Sequence, residues 1–380
     1  MLTYSQLAEL EQTAHDAQVL NVYVNAGELD AVSRRSWRRT LANAIVATRK
    51  SLADAPHAER NAFERAAELL DDRVKQLADD MEGAAGWVAF VAPDRVLHAG
   101  PVKSPPPPLV EWRTGIAAAP YLRLDREDGD VIVALVDARS ADVYRWSAGE
   151  LERVDRLRSH AHLSRAAHMG DTPQQGFHSG TRGTALTDAA QRALDVGRTR
   201  MVHDLVNRLE ALVKPDGWIV IAGIRTVTSD VLKHLGKTAA KRTLYLAGVS
   251  TDASEVDISR AAVDGRARLL AAHQMEAVTE LIDRSVSRRR GVLGPEKSLD
   301  ALRTGAAREI LISEGFFEQH AADAESIALE ALAHGARVQE VEGHAALRLD
   351  GEAGGVGATL RFASRGAKVK AELAPHGEPS

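Results

Sequence analysis

The chain of 380 residues has no cysteine, which excludes disulfide crosslinks, thiolate metal sites and a cysteine nucleophile. Aromatic residues make up only 4% of it, so the core must rest on Ala, Leu, Val and Ile. No stretch approaches the ~18–20 uninterrupted apolar residues of a membrane-spanning helix. The start, Met1-Leu2-Thr3-Tyr4-Ser5-Gln6, has no basic cluster leading into an apolar run, so no secretory signal is read there and a cytoplasmic, membrane-free protein is expected. Charge of one sign is also lacking. Lys and Arg total 48 against 53 Asp and Glu, a formal net charge of −5 with a pI near 6.3. A uniformly basic nucleic-acid coat is thereby excluded, while local basic faces are not.

What is present is an ordinary globular composition, 44% hydrophobic and 27% charged, in a chain longer than one core usually grows, so two or three domains are expected. Residues 1–125 read as an α/β unit: a helix over 5–17, a strand at Leu20–Val24, helices over 31–51 and 57–82, and a buried strand at Gly86–Val91. Ser104-Pro105-Pro106-Pro107-Pro108-Leu109 can join neither a helix nor a central strand, and reads as a stiff extended connector in preference to a peptide ligand. Near the start of the second helix stand Arg34, Arg35, Trp37, Arg38 and Arg39. Arginines can grip phosphates and an indole can stack on a base, so this is a candidate rRNA-binding helix. The same cluster fits a solvated helix face with Trp37 turned into the core.

Residues 129–288 read as a second α/β domain. The apolar run Val131–Val136 and the alternating segments 142–146 and 151–154 form a three-stranded meander. A helix follows over 187–213, with Leu194, Gly197, Met201, Leu205, Leu209 and Leu212 in one stripe. Strands at 217–223 and 244–248 and helices at 227–236 and 254–288 complete it. Between the meander and the first helix lies a loop, 160–183, with no apolar periodicity. Loops this long inside a compact domain tend to be functional. Its His160, His162, His168 and His178, with Asp171, fit no strong zinc spacing and lack a second ligand cluster, so neither metal nor cofactor is expected.

In the last third, a helix at 298–303 precedes the strand Arg308–Ser313, within the run Gly305-Ala306-Ala307-Arg308-Glu309-Ile310-Leu311-Ile312-Ser313. A helix over 324–334 stops at Gly335, and the strand 337–341 and the glycine cluster 351–357 follow. That cluster lacks the strand–loop–helix setting of a dinucleotide loop. The order ending in Ala358, Leu360, Arg361 and Phe362 resembles the third domain of the archaeo-eukaryotic release factor and Pelota superfamily, and the resemblance covers about 129–363. It implies a mixed α/β, three-domain architecture with domains at 1–125, 129–288 and 291–363 and a tail at 364–380. The proline connector followed by Pro120-Tyr121-Leu122 is similar to the bacterial branch of that superfamily, which includes ribosome hibernation factors.

The resemblance implies a monomeric factor at the ribosomal A site, touching rRNA of both subunits, with a translational GTPase such as elongation factor Tu as partner. Release factors of that superfamily carry Gly-Gly-Gln in the middle-domain loop. Here the sequence reads Gln174-Gln175-Gly176, and Gly-Gly-Gln occurs nowhere. One glycine after the glutamines does not replace the backbone freedom of two before it. The expectation is a non-enzymatic, hibernation-type factor whose Gln174, Gln175, Gly176, Phe177, His178 and Arg182 contact rRNA of the peptidyl-transferase centre. The alternatives are a rescue or release factor and, from another class, a metal-dependent hydrolase or nuclease using the histidine-rich loop.

Overall fold

The structure is a computed structural model and describes residues 2–26, 36–77, 84–102, 104–124, 129–147, 149–159, 182–215, 217–288 and 290–362. The chain is mixed α/β and, among the described residues, holds three separate sheets. It divides into two compact units: Asp16–Ile116 with Leu124–His273, and Leu2–His15 with Ala117–Arg123 and the chain from Gln274 onward.

The first sheet orders β1 (Gln18–Asn25), β2 (Gly86–Val91), β3 (Val96–Val102) and β4 (Leu109–Thr114) as β3-β2-β1-β4, antiparallel throughout. Helices α1 (Tyr4–Ala14), α2 (Trp37–Ser51) and α3 (His57–Val74) precede β2 in the chain. The apolar stripes of α2 and α3 meet one sheet face, where Trp37, Leu41, Phe63 and Leu70 pack on Leu20, Val22 and Trp87. The proline segment is a strap. Pro106 is buried, and a Cβ on Gly86 would come within 2.4 Å of both Pro106 Cδ and the Val24 carbonyl, so only glycine lets the strap cross there.

The second sheet orders β5 (Val131–Val136), β6 (Ser140–Ser147), β7 (Glu150–Arg158), β8 (Trp218–Gly223) and β9 (Thr243–Leu246) as β7-β6-β5-β8-β9. The expected meander is antiparallel, while β8 and β9 add parallel strands beyond β5. After α4 (Ala118–Leu124), the helices of this region are α5 (Arg182–Leu212), α6 (Arg225–His234), α7 (Lys237–Lys241) and α8 (Glu255–Asp283). Met201, Leu205 and Leu209 of the expected stripe bury α5 on one face. On the other, Ile258, Ala262 and Leu269 of α8 pack on Val133 and Val220. A Cβ on Gly265 would lie 2.4 Å from Val220 Cγ2, which sets how closely α8 approaches.

The second unit contains β10 (Gly291–Leu293), α9 (Pro295–Arg303), β11 (Ala307–Ser313), α10 (Glu314–Gln319), α11 (Ala321–Ala333), β12 (Arg337–Val341), α12 (Gly343–Ala353) and β13 (Val356–Leu360). Its strands order as β10-β13-β11-β12. Gly335, at φ 62°, closes α11 as expected. Helix α12 had no sequence signal strong enough to read, because its buried face is only Ala345, Ala346, Leu349 and Ala353. Gly354, at φ 58°, ends α12 and Gly355 follows at φ 84°, so the glycine cluster is a helix-to-strand turn. The signature residues have structural work here. Ala358 and Leu360 are in the core, and Arg361 donates to the carbonyls of His334 at 3.2 Å and Gly335 at 2.9 Å, capping the end of α11. Phe362 is exposed.

Helices α1 and α4 join this unit through buried polar groups. The Glu325 carboxylate accepts from the backbone N–H of Ala118 at 2.8 Å and Ala119 at 3.0 Å, satisfying the free amides that open α4. Arg123 makes a two-pronged pair with buried Glu340 at 2.8 and 2.9 Å, over the Phe317 ring. Tyr121 Oη accepts from the Leu2 amide at 2.6 Å, and Tyr4 Oη donates to the Ala336 carbonyl. Burial pushes the Tyr4 hydroxyl above its ordinary pKa, so it remains a donor. Replacing Arg123 by Ala removes the two-pronged cation from the buried Glu340 carboxylate. Arg123→Ala should lower unfolding stability by about 3 kcal/mol in urea titration, and Arg123→Met with Glu340→Leu should recover most of the loss.

Candidate functional site

The site that the fold builds most deliberately is the end of the second sheet where the chain leaves for residues 160–181. Strand β5 ends at Val136, and Asp137 turns the chain into β6. Its Oδ1 accepts from the Arg139 N–H at 2.5 Å and the Ser140 N–H at 2.7 Å, and its Oδ2 from Ser140 Oγ at 2.9 Å. Burial raises the Asp137 carboxyl, but these donors and the Arg139 charge outweigh it and hold the group below its ordinary range. The Arg139 carbonyl in turn accepts from the Ser159 N–H at 2.7 Å. The last residue before the loop is thus tied to the turn that Asp137 pins. Beside it, Gly223 closes β8 at φ 114°, where a Cβ would lie 2.1 Å from the Val136 carbonyl oxygen.

The chain returns at Arg182 into α5, whose 31 residues make it ~46 Å long. Among its described side chains, the buried anchors Met201, Val202, Leu205, Val206 and Leu209 lie in the second half of the helix. Strand β7 carries Arg153, Arg156 and Arg158 exposed along the sheet edge. Arg156 Nε is 3.4 Å from Asp142, whereas Arg153 and Arg158 have no hydrogen bond or ion pair among the described residues. Exposed pairs of this kind contribute little stability. The register places Arg158 opposite Ser140, next to Arg139. Two cations therefore stand at the root of the loop, fit for phosphate contact. Pattern reading missed them because Arg139 lies in a turn, and only the turn geometry brings it to Arg158.

Of the residues expected to form the loop contact, Gln174, Gln175, Gly176, Phe177 and His178 lie outside the described residues, as do the loop histidines. Arg182 opens α5, and its side chain is likewise outside the description. Among the described residues, no group of three or more His, Asp or Glu is placed to hold a metal. No described helix is long and apolar enough to cross a membrane.

The basic helix resolves differently. Arg34 and Arg35 lie outside the described residues. Trp37 is 2% exposed in the core with Phe63 and Leu70, so its ring is not open to a base. Arg38 lies over the Trp37 ring at 4.7 Å and donates to the carbonyls of Val74 at 3.0 Å and Leu77 at 2.5 Å, at the end of α3. Arg39 is exposed. A groove of about 510 Å³ runs between α2 and α3, with Leu41, Ile45 and Leu70 among its lining. On its rim Arg49 and Glu64 bind each other at 2.7 Å, and their hydrogen bond lowers the Glu64 carboxyl and raises Arg49.

Residues 117–274 match the family model described as Bacterial archaeo-eukaryotic release factor family 10. The matched stretch is less than half of the chain and is similar to that release-factor family. Among solved structures, Pelota of Archaeoglobus fulgidus is 16% identical with a TM-score of 0.38, over 74% of this chain and 80% of that one. The archaeal translation termination factor aRF1 is 16% identical with a TM-score of 0.24, over 95% and 99%. Saccharomyces cerevisiae Dom34, described as a translation termination-like factor interacting with Hbs1, is 10% identical with a TM-score of 0.44, over 67% and 70%. No curated protein matches the chain.

Two outcomes follow from this geometry. The Asp137 carboxyl titrates lower in the folded state than in the unfolded chain, where an Asp titrates near 3.9. Its contribution is therefore present above about pH 4 and lost as the pH falls through the folded value. The stability gap between the native protein and Asp137→Ala should be constant near neutrality and shrink on acidification, as read by denaturant unfolding across pH. Arg38→Ala should cost roughly 1 kcal/mol of stability through loss of the α3 end contacts, while leaving the salt dependence of any ribosome binding unchanged.

Proposed function

We propose that the protein is a ribosome-associated translation factor of the release-factor/Pelota type that occupies the A site without hydrolysing peptidyl-tRNA, and so acts in ribosome hibernation. The observation that carries this reading is the match of residues 117–274 to a release-factor family model in a chain whose middle-domain loop reads Gln174-Gln175-Gly176 in place of Gly-Gly-Gln. Hydrolysis by such a loop needs a positioned water and a backbone free to approach the ester. Occupation needs only reach and affinity. The pinned root at Asp137, Arg139 and Ser159 and the long helix α5 supply a rigid base for reach. Gln174, Gln175, Phe177, His178 and Arg182 supply hydrogen-bonding and stacking groups for rRNA. The proline strap and Pro120-Tyr121-Leu122 resemble the hibernation factor Balon, and a translational GTPase such as elongation factor Tu is the delivery partner this reading implies. A cytoplasmic location goes with it. The acidic pI is no obstacle, because only local basic faces meet RNA.

Ribosomes incubated with the protein should lose peptide-bond formation without releasing peptide from peptidyl-tRNA, whatever codon stands in the A site. Deleting Asp171–Thr181 should restore peptide-bond formation while much of the ribosome affinity, measured by co-sedimentation, remains. Peptide release by the intact protein, abolished by Gln174→Ala or Gln175→Ala, would instead establish a rescue or release factor.

A further inference from the structure

Strand β7 is an outer strand of the second sheet, and its charges are sorted by face. Residues paired directly across two strands point to the same face. Leu151 lies opposite Trp146, Arg153 opposite Tyr144, Arg156 opposite Asp142 and Arg158 opposite Ser140. These stand on the α8 side, because Trp146, Tyr144 and Leu151 belong to the core that α8 covers. Glu152 and Asp155 lie opposite Arg145 and Val143, on the α5 side. Simple alternation would set Arg153 and Arg156 on opposite faces. The register shifts between Val143 and Tyr144, and the extra residue, Val154, lets Arg156 and Arg158 rejoin the face of Arg153. Bulges re-aim side chains, and this one gathers three arginines in one row.

The acids around the row are engaged. Asp155 pairs with Arg208 of α5 at 2.8 Å, and Glu152 lies 4.0 Å from Arg145, both on the far face. Among the residues of β6 and β7, the carboxylate on the α8 face is Asp142, largely covered and 3.4 Å from Arg156 Nε. All three arginines are exposed, and Arg153 and Arg158 have no hydrogen bond or ion pair from their side chains among the described residues. Arg156 and Arg158 are two positions apart, a rise of ~6.6 Å, and Arg139 follows at the turn beside Ser140. Guarding a sheet edge against pairing needs charge alone, with no sorting by face. Guanidinium forks sorted onto one face of a rigid strand can each grip phosphate oxygens through two N–H donors. Beside them β6 offers Ser140 and the half-buried Tyr144, whose hydroxyls suit a ribose-phosphate chain.

We propose that the α8 face of β7 is a docking track for the RNA phosphate backbone, on which Arg153 and Arg158 grip phosphates and Arg156, beside Asp142, lies between them. The ligand is the ribose-phosphate chain and not a base, so binding is independent of sequence. The partner, ribosomal RNA, rests on the ribosome-binding reading, whereas the anion chemistry does not.

The test uses the full chain, bacterial ribosomes and a labelled A-form RNA hairpin. Arg153→Gln with Arg158→Gln should weaken hairpin binding about tenfold and reduce the slope of log affinity against log salt by roughly 1.5, as expected for two lost phosphate contacts. Ribosome binding should lose the same slope. Arg153→Lys with Arg158→Lys should keep the slope, because charge remains, while losing part of the affinity. Arg65→Gln with Arg73→Gln, an equal charge change at exposed positions of α3, should leave hairpin binding unchanged. If the β7 glutamine pair unfolds early, Arg158→Gln alone should show about half the slope change. An equal loss from the α3 pair, or displacement of the hairpin by polyglutamate as effective as by unlabelled hairpin, overturns the track in favour of a general charge effect or an acidic-peptide site. An unchanged slope with intact ribosome binding overturns the track and leaves the functional reading standing. Arginine-dependent hairpin binding without ribosome binding supports the track and overturns the functional reading, and binding to neither overturns both.

Discussion

Strand β5 pairs antiparallel with β6 on one edge and parallel with β8 on the other, and this double register fixes both ends of the middle sheet at once. At its carboxyl end, Val136 lies level with Ala141 and Gly223, which brings the Asp137 turn, the Arg139 carbonyl and the end of β7 together as the root of the loop. At its amino end, the same pairing aligns Trp146 and Trp218 in one row. A slip of one residue would turn both indoles to the opposite face and bury the wrong set of side chains. The strand is wholly apolar and wholly buried, so no such slip is tolerated.

In the second unit, buried carboxylates add specificity to an apolar core. Glu325 and Glu340 are buried acids whose charges are met by the amides that open α4 and by the Arg123 fork. Such groups are weak sources of net stability but demanding ones, because any arrangement that leaves them unpaired is costly. They select one docking of residues 117–123 within this unit. Gln274 adds to the same corner, donating to the Glu340 carbonyl and accepting from the Glu342 amide. Arg361 works likewise, closing the end of α11 with a side chain from the last strand.

Placement and chemistry are separate matters in the middle region of the chain. Rigid elements, the Asp137 turn and α5, position the loop, while the identity of the loop residues decides what happens there. A hydrolytic loop requires backbone freedom at fixed positions, and a blocking loop does not. Arg139 and Arg158 bring two cations to the root of the loop within a chain of net charge −5. A protein can therefore meet RNA locally while staying acidic overall.

The strands at Val131–Val136 and Gly86–Val91, the α5 stripe through Met201, Leu205 and Leu209, and the stop at Gly335 were all legible in the sequence, because each is a local pattern of burial or of backbone freedom. So was the missing Gly-Gly-Gln, which is a matter of residue identity alone. Helix α12 was not, since a stripe of alanines carries little periodic signal. Nor could residue type decide between an RNA-facing and a core Trp37, or show that Arg38 serves the end of α3. Trp146 and Trp218 are 72 positions apart in the chain. Their alignment, like the approach of the Arg139 turn to the end of β7 and of Glu325 to the start of α4, depends on strand register and helix docking, which are set by non-local packing that no window of sequence contains.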